Sequence, residues 1–335
     1  MNDRSPLRAS GCHGSQLRRR GTGAAGLIGM VTGGRSGERD RSLLSAEAVG
    51  AAFRRQNLRY ARLDPCDGEF ADRIRAVDVA FLAIAGQWAE DGKLQGMLDS
   101  LSVPYTGSGV LASALAMHKP TAKEVVSAAG VKVLPHVPVP GDRNPERTAQ
   151  ACGRSLGMPV ILKPCSEGGS IGMQVLHDTA TLAVALASSA GHGERFIEPF
   201  TAGRAVTCGV LCRDGQLTTL PPLETRPTTA EFYDYAAKRN PAGHIYRCPA
   251  AVPEAALAQI AQGTLDAHRA LRCSGYSRSD FLVTPGGEVF WLEANTLPGL
   301  SRHGNLATMA SAAGISYDEL IQEILANAHR DGYRP

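Results

Sequence analysis

The chain has 335 residues, of which 43% are hydrophobic, 20% charged and 5% aromatic, enough for two or three packed layers in an ordinary globular protein. Lys and Arg number 35 against 32 Asp and Glu, and a formal charge of +3 is too balanced to supply the basic face that nucleic acid or an anionic membrane needs. No apolar run approaches the roughly 20 residues that span a bilayer, and eight scattered cysteines without a CxxC pair argue against a disulfide framework or a structural zinc site and fit a reducing cytoplasm.

Residues 1–25 hold five arginines, one acid and almost no large apolar residue, so a disordered basic tail is expected. The run Arg18–Arg20 is followed by a Gly-broken apolar stretch, a poor match to an export signal. An N-terminal α/β unit should occupy 26–107: strand LIGMVT, a Gly-rich turn, a helix around Ser45 to Gln56, strand LRYARL, a charged connector and strand VDVAFLAI. Strands alternating with a helix imply a parallel sheet. A central unit, 108–200, should hold helices over 111–129, a strand over 132–139, a helix over 145–156 and the strand PVILKP followed by CSEGGSIGM. The last unit, 201–335, follows strand RFIEPF with AVTCGVL, where Cys208 and Cys212 read as buried thiols, and with QLTTLP, a helix over 253–271, strands SDFLV and EVFWLEA, and two closing helices. Between them the polar stretch 225–247 is too long for an ordinary loop and reads as a lid.

Nucleotide signatures need testing because glycine is abundant. Gly86 to Lys93 (GQWAEDGK) has one residue too many for a P-loop and Leu94 where a magnesium-binding hydroxyl belongs. GSGVLA, from Gly107 to Ala112, fits the loose dinucleotide pattern but lacks the acid about 20 residues on. PVILKPCSEGGSIGM says more: a strand delivers Lys163, and a loop of Gly168, Gly169, Ser170 and Gly172 could wrap phosphates with its N–H groups, although a plain Gly-rich hairpin would read alike. Asp280 and Glu293 fall on neighbouring strands, with Asn295 on the same face as Glu293. Such hard oxygen donors suit magnesium beside nucleotide phosphates; solvated acids at strand ends are the alternative.

These stretches, in order, resemble the ATP-grasp ligases, and over nearly all of 27–329 the chain is similar to the D-alanine:D-alanine ligase family. The resemblance rests on TGGRSGERDRSLLS, AEDGKLQGMLDSLSVPYTGSGVLASALAMHK, PVILKPCSEGGSIGM, FYDYAAK, YRCPA, GYSRSDF and LEANTLPG. It implies an α/β (α+β) three-segment ATP-grasp fold and an enzyme that phosphorylates a carboxylate with ATP and Mg2+ (or Mn2+) before an amine displaces the phosphate. It assigns Lys119, Lys163 and Ser170 to the ATP phosphates, Glu198 to the adenine amino group and Lys238, on the lid, to the γ-phosphate. Asp280, Glu293 and Asn295 would hold the metal, Arg278 and the Gly299 N–H the oxyanion, and Glu38 the ammonium of the first amino acid. The expected partners are amino-acid-like small molecules, with room for a homodimer.

Departures from the family pattern gather at the amino-acid site. Ala85 stands for a histidine, Gly169 for a serine, Arg239 for a tyrosine, and Gly304–Asn305 for the Ser-Leu pair that receives the second D-alanine's carboxylate. With the ATP and magnesium residues almost all kept, apart from Ala205 where an acid contacting the ribose belongs, and substrate residues changed, the expectation is a ligase with a diverged acceptor, for example in specialised metabolism such as mycosporine-type amino-acid ligation, Arg239 gripping the acceptor's carboxylate. The alternatives are a genuine D-alanine:D-alanine ligase and, from another class, a non-catalytic nucleotide-binding module.

Overall fold

The computed structural model describes residues 26–139, 144–168, 172–189, 193–227 and 244–329. The basic tail, Gly169, Ser170, Lys238 and Arg239 lie outside the described residues.

Four-residue apolar runs build the N-terminal sheet. β1 (Ile28–Val31) lies between β2 (Tyr60–Leu63) and β3 (Val79–Leu82), all parallel. β1 and β3 are buried at every position, as strands covered on both faces must be. Helix α1 (Arg39–Arg55) buries Ser42, Ser45, Ala46, Val49 and Phe53. It begins well before the expected Ser45, because polar side chains in its first turn hide the helical period. That early start puts Glu38 at the N-cap. The charged connector and the segment after the glycine-rich Gly86–Gly92 turn hold two short helices, α2 (Phe70–Arg75) and α3 (Lys93–Ser100).

The helices expected over 111–129 are α4 (Val110–Met117) and α5 (Lys119–Ala128). The break is chemical: His118 leaves helical geometry, its side chain caps Thr121 N–H, and Pro120 sits in the first turn, where a missing N–H costs nothing. The cap sets Lys119 at the start of α5.

A four-stranded antiparallel sheet of order β4-β7-β5-β6 follows, from β4 (Val137–Pro138), β5 (Val160–Pro164), β6 (Gln174–Leu176) and β7 (Arg195–Pro199). β4 is shorter than the strand expected over 132–139; Val133 instead bridges to Trp291. Helices α6 (Pro145–Leu156) and α7 (Thr179–Ser188) cover this sheet over a core of Cys152, Val160, Leu162, Leu182 and Ile197.

The C-terminal sheet runs from β11 (His244–Arg247) through β10 (Leu223–Pro227), β8 (Arg204–Arg213) and β12 (Tyr276–Val283) to β13 (Val289–Asn295), with β9 (Gln216–Thr219) also on β8. Here the lid expectation needs correction at both ends: Leu223–Pro227 is β10 and His244–Arg247 is β11, paired antiparallel with Thr225 opposite Tyr246. Alternation of Glu224, Thr225 and Arg226 was masked by polarity, although Glu224 and Thr225 are buried. The remainder of the expected lid, 228–243, is outside the described residues. β12 (Tyr276–Val283) and β13 (Val289–Asn295) complete the sheet, with α8 (Glu254–Ala270) over it. α4 and α5 contribute Ala116, Ala122 and Val126 to this sheet's core beside Phe281 and Trp291. The last helices, α9 (Asn305–Ala312) and α10 (Tyr317–Ala326), return to the N-terminal core through Leu306, Leu320 and Ile321. Cys208 and Cys212 are buried free thiols on β8, as expected.

Candidate active site

Strand register builds the first part of the site. β12 pairs with β13 so that Asp280 lies opposite Glu293 and Arg278 opposite Asn295. Side chains two apart on a strand share a face, so all four project to one side. Buried Tyr276, Ser277, Ser279 and Phe281 alternate with half-buried Arg278 and Asp280. Arg278 grips Asp280 in a fork of 2.9 and 3.0 Å, and Thr207 donates to the same carboxylate at 2.7 Å. Glu293 lies 3.3 Å from Lys119 Nζ, and Asn295 Oδ1 accepts from Leu297 N–H at 3.1 Å. Two carboxylates and an amide oxygen on one face fit a hard divalent cation, and Arg278 and Lys119 balance the acids when none is bound.

A second group gathers where α5 meets β5 and β7. The Lys119 ammonium donates to the Glu167 carbonyl at 2.5 Å, while its backbone N–H bonds to Cys165. Lys163, on β5, reaches Glu198 on β7, a carboxylate only 1% exposed. The buried Lys123 holds the other oxygen of Glu198 at 2.6 Å. Sequence reasoning missed Lys123, whose signal was a position one helical turn after Lys119. Glu198, which the resemblance assigns to the adenine amino group, has both of its carboxylate oxygens engaged by lysines.

A third group surrounds Glu38. Its carboxylate takes a 2.8 Å bond from Arg41 and is packed tightly against the loop after β5: a Cβ on Gly168 would stand 2.4 Å from Glu38 Oε2, and one on Gly86 3.3 Å from it. Gly86 also has φ +88°, so glycine is required there twice over. Glu90, likewise missed, is 8% exposed and accepts the Gly86 N–H at 2.5 Å. Burial and the negative charge of Glu38 push its carboxyl up to about 8, partly offset by Arg278. Glu90 thus lies within the electrostatic reach of both Glu38 and Arg278. Its signal was the acid of AEDGK, a stretch that carries the family resemblance but to which no residue role was assigned.

Ala85 and Gly299 line one small hollow together with Ser45 and Leu297. Gly304 is the N-cap of α9 and Asn305 its first residue; a Cβ on Gly304 would lie 2.8 Å from Ser301 Oγ, so that hydroxyl stands at the start of the space a side chain there would fill.

Two cleft lysines, an oxygen-donor face and a guanidinium, set on a parallel-sheet domain and two antiparallel sheets, suit an ATP-grasp carbon–nitrogen ligase. A family model for the D-ala D-ala ligase C-terminus matches residues 125–326, and one for the N-terminus matches 61–108. The D-alanine–D-alanine ligase of Anaeromyxobacter sp. strain Fw109-5 is 39% identical over 306 residues, 90% of this chain and 96% of that one; that of Syntrophobacter fumaroxidans is 37% identical over 308 residues, 91% and 98%. Among solved structures, the D-alanine–D-alanine ligase of Bacillus anthracis superposes with a TM-score of 0.78 at 30% identity, over 91% of this chain and 97% of that one. The VanG D-Ala:D-Ser ligase of Enterococcus faecalis gives 0.78 at 25% identity, over 91% and 99%. The chain belongs to the D-alanine–D-alanine ligase family, of which a Bacillus anthracis structure is in complex with ATP (TM-score 0.76, 27% identity, over 90% of this chain and 97% of that one). The non-catalytic reading is thereby replaced by that of an enzyme. Among the described residues, no helix is long and apolar enough to cross a membrane.

Proposed function

We propose that the chain is a cytoplasmic D-alanine–D-alanine ligase, joining two D-alanines at the cost of one ATP. The observation that carries this reading is the match to D-alanine–D-alanine ligases over 90% of this chain and 96% of the relative, beside a cleft in which Glu90 feels the charges of both Glu38 and Arg278. The specialised-metabolite reading, mycosporine ligation included, is the weaker one, because the relatives matched over 90% or more of the chain are D-alanine–D-alanine ligases. Gly169 and Arg239 are outside the described residues, and at Gly304 the nearby Ser301 hydroxyl offers a replacement donor.

In this reading Glu38, wedged against Gly86 and Gly168, receives the ammonium of the first D-alanine and fixes where its carboxylate points. Attack of that carboxylate on the γ-phosphate brings two anions together, and Lys119 and Lys163 reduce their repulsion. Asp280, Glu293 and Asn295 would hold Mg2+, which supplies further charge compensation on the phosphates. The amine of the second D-alanine attacks the acyl carbon, and Arg278, with the Gly299 N–H, stabilises the oxyanion. Asp280 holds the Arg278 guanidinium in place before the charge develops.

The test is phosphate release from ATP and Mg2+ over a panel of D- and L-amino acids, singly and in pairs. Release with D-alanine alone is expected. Release that requires a different second amine would restore the diverged-acceptor reading.

A further inference from the structure

The nucleotide corner contains one more cation than its two cleft lysines. Lys123, one turn beyond Lys119 on α5, is 1% exposed, with its Nζ 2.6 Å from Glu198 Oε2 and 3.4 Å from the Leu134 carbonyl. Glu198 is equally buried, and its other oxygen accepts from Lys163, whose side chain is 14% exposed. One carboxylate therefore holds two ammonium groups, one sealed in the core and one at the edge of the cleft. Burial lowers the proton affinity of Lys123 and Glu198 opposes that loss; the two lysines hold the Glu198 carboxyl below its ordinary range.

A buried ion pair that loses one partner leaves an uncompensated charge, which is strongly unfavourable. With a single lysine, Glu198 could not release it. With two, the lysine at the cleft edge is free to go, because the other keeps the acid neutralised. We propose that Lys123 is a positioning residue: it is the permanent counter-ion of Glu198, and so lets Lys163 move from that acid to the phosphates of an arriving nucleotide. The proposal rests on reading Lys163 as a phosphate-binding lysine.

The probe is inorganic tripolyphosphate, which carries the phosphates without a base, titrated calorimetrically into the full chain. Lys123→Met makes Lys163 the only partner of Glu198 and should weaken binding tenfold or more. Lys123→Met with Glu198→Gln removes the acid's hold, and binding should return to within about threefold of wild type. Lys123→Arg, which keeps the charge, should stay close to wild type. Binding of Lys123→Met within twofold of wild type, or a folded double variant as weak as the single, would overturn the proposal and leave Lys123 a structural ion. Should Lys123→Met not fold, Glu198→Gln alone decides: binding at least as tight as wild type is expected, and weaker binding refutes the idea. Lys163→Met separates the two layers, since unchanged binding there would remove the phosphate reading itself, whatever Lys123 does.

Discussion

The nucleotide corner and the amino-acid corner of the cleft are built in opposite ways. Around Glu198 and Asp280, each acid already has cationic partners: Lys123 and Lys163 on one, Arg278 on the other. Around Glu38, which has Arg41 as its partner at 2.8 Å, space is set by missing side chains, with Gly86 and Gly168 letting backbone approach the carboxylate, and the buried Glu90 adds a second acid. The first corner is made for a polyanion whose charge must be balanced, the second for a small cationic amino group that brings its own positive charge. The contrast explains why removal of charge should dominate in one corner and addition of atoms in the other.

The largest effect should come from breaking the charged corner. Glu293→Ala is expected to reduce ligation at least about a thousandfold, roughly 4 kcal/mol of transition-state stabilisation, and to abolish magnesium-dependent nucleotide binding in equilibrium titrations. An active variant would remove the metal assignment. In the amino-acid corner, Gly168→Ala places a methyl 2.4 Å from Glu38 Oε2. It should raise KM for the first D-alanine about ten- to a hundredfold, the worth of one charge-assisted hydrogen bond, while KM for ATP changes little. Equal loss of both would mean that the corners are not separable. Ser301→Ala, if Ser301 replaces the acceptor-binding serine, should raise KM for the second D-alanine about tenfold, about 1.4 kcal/mol, and Gly304→Ser in that background should recover most of it. No change in either variant would sink the substitution argument.

A separate effect, on stability rather than on activity, concerns Glu90. Its carboxyl is pushed up to about 8 in the folded protein, against an ordinary value near 4.5. The folded state therefore binds the proton more tightly than the unfolded chain. The sign follows: stability contributed by protonated Glu90 is complete below about pH 4.5 and falls as pH rises toward about 8, by at most about 1.4 kcal/mol per pH unit. Glu90→Gln, which still accepts the Gly86 N–H, should flatten this part of the melting-temperature profile, so that its Tm relative to wild type rises between pH 5 and 8. Parallel profiles would show that Glu90 is ionised throughout.

What could be read from the sequence depended on whether the physics was local. Strand period alone set Glu293 and Asn295 on one face, and the register confirms Asp280 opposite Glu293. The polar stretch 225–247 misled because Glu224 and Thr225 are buried by partners on β8 and β11 that no local window contains. Lys123 was invisible for a related reason: a lysine on a helix reads as a solvated one until Glu198, 75 residues away, is brought beside it. More than one helix over 111–129 was legible, and Pro120 with the capping His118 marks where α4 gives way to α5. Gly304 was legible only as a loss; that Ser301 stands beside it appears in three dimensions alone.

The central claim is that the first D-alanine's carboxylate is phosphorylated and the second D-alanine's amine then displaces the phosphate. It is tested most directly with D-alanine carrying 18O in its carboxylate, supplied as the only amino acid with ATP and Mg2+. One carboxylate oxygen bonds to the γ-phosphorus and departs with it, so mass spectrometry should find D-alanyl-D-alanine together with inorganic phosphate containing one 18O. Phosphate without label, or labelled phosphate without dipeptide, would contradict it.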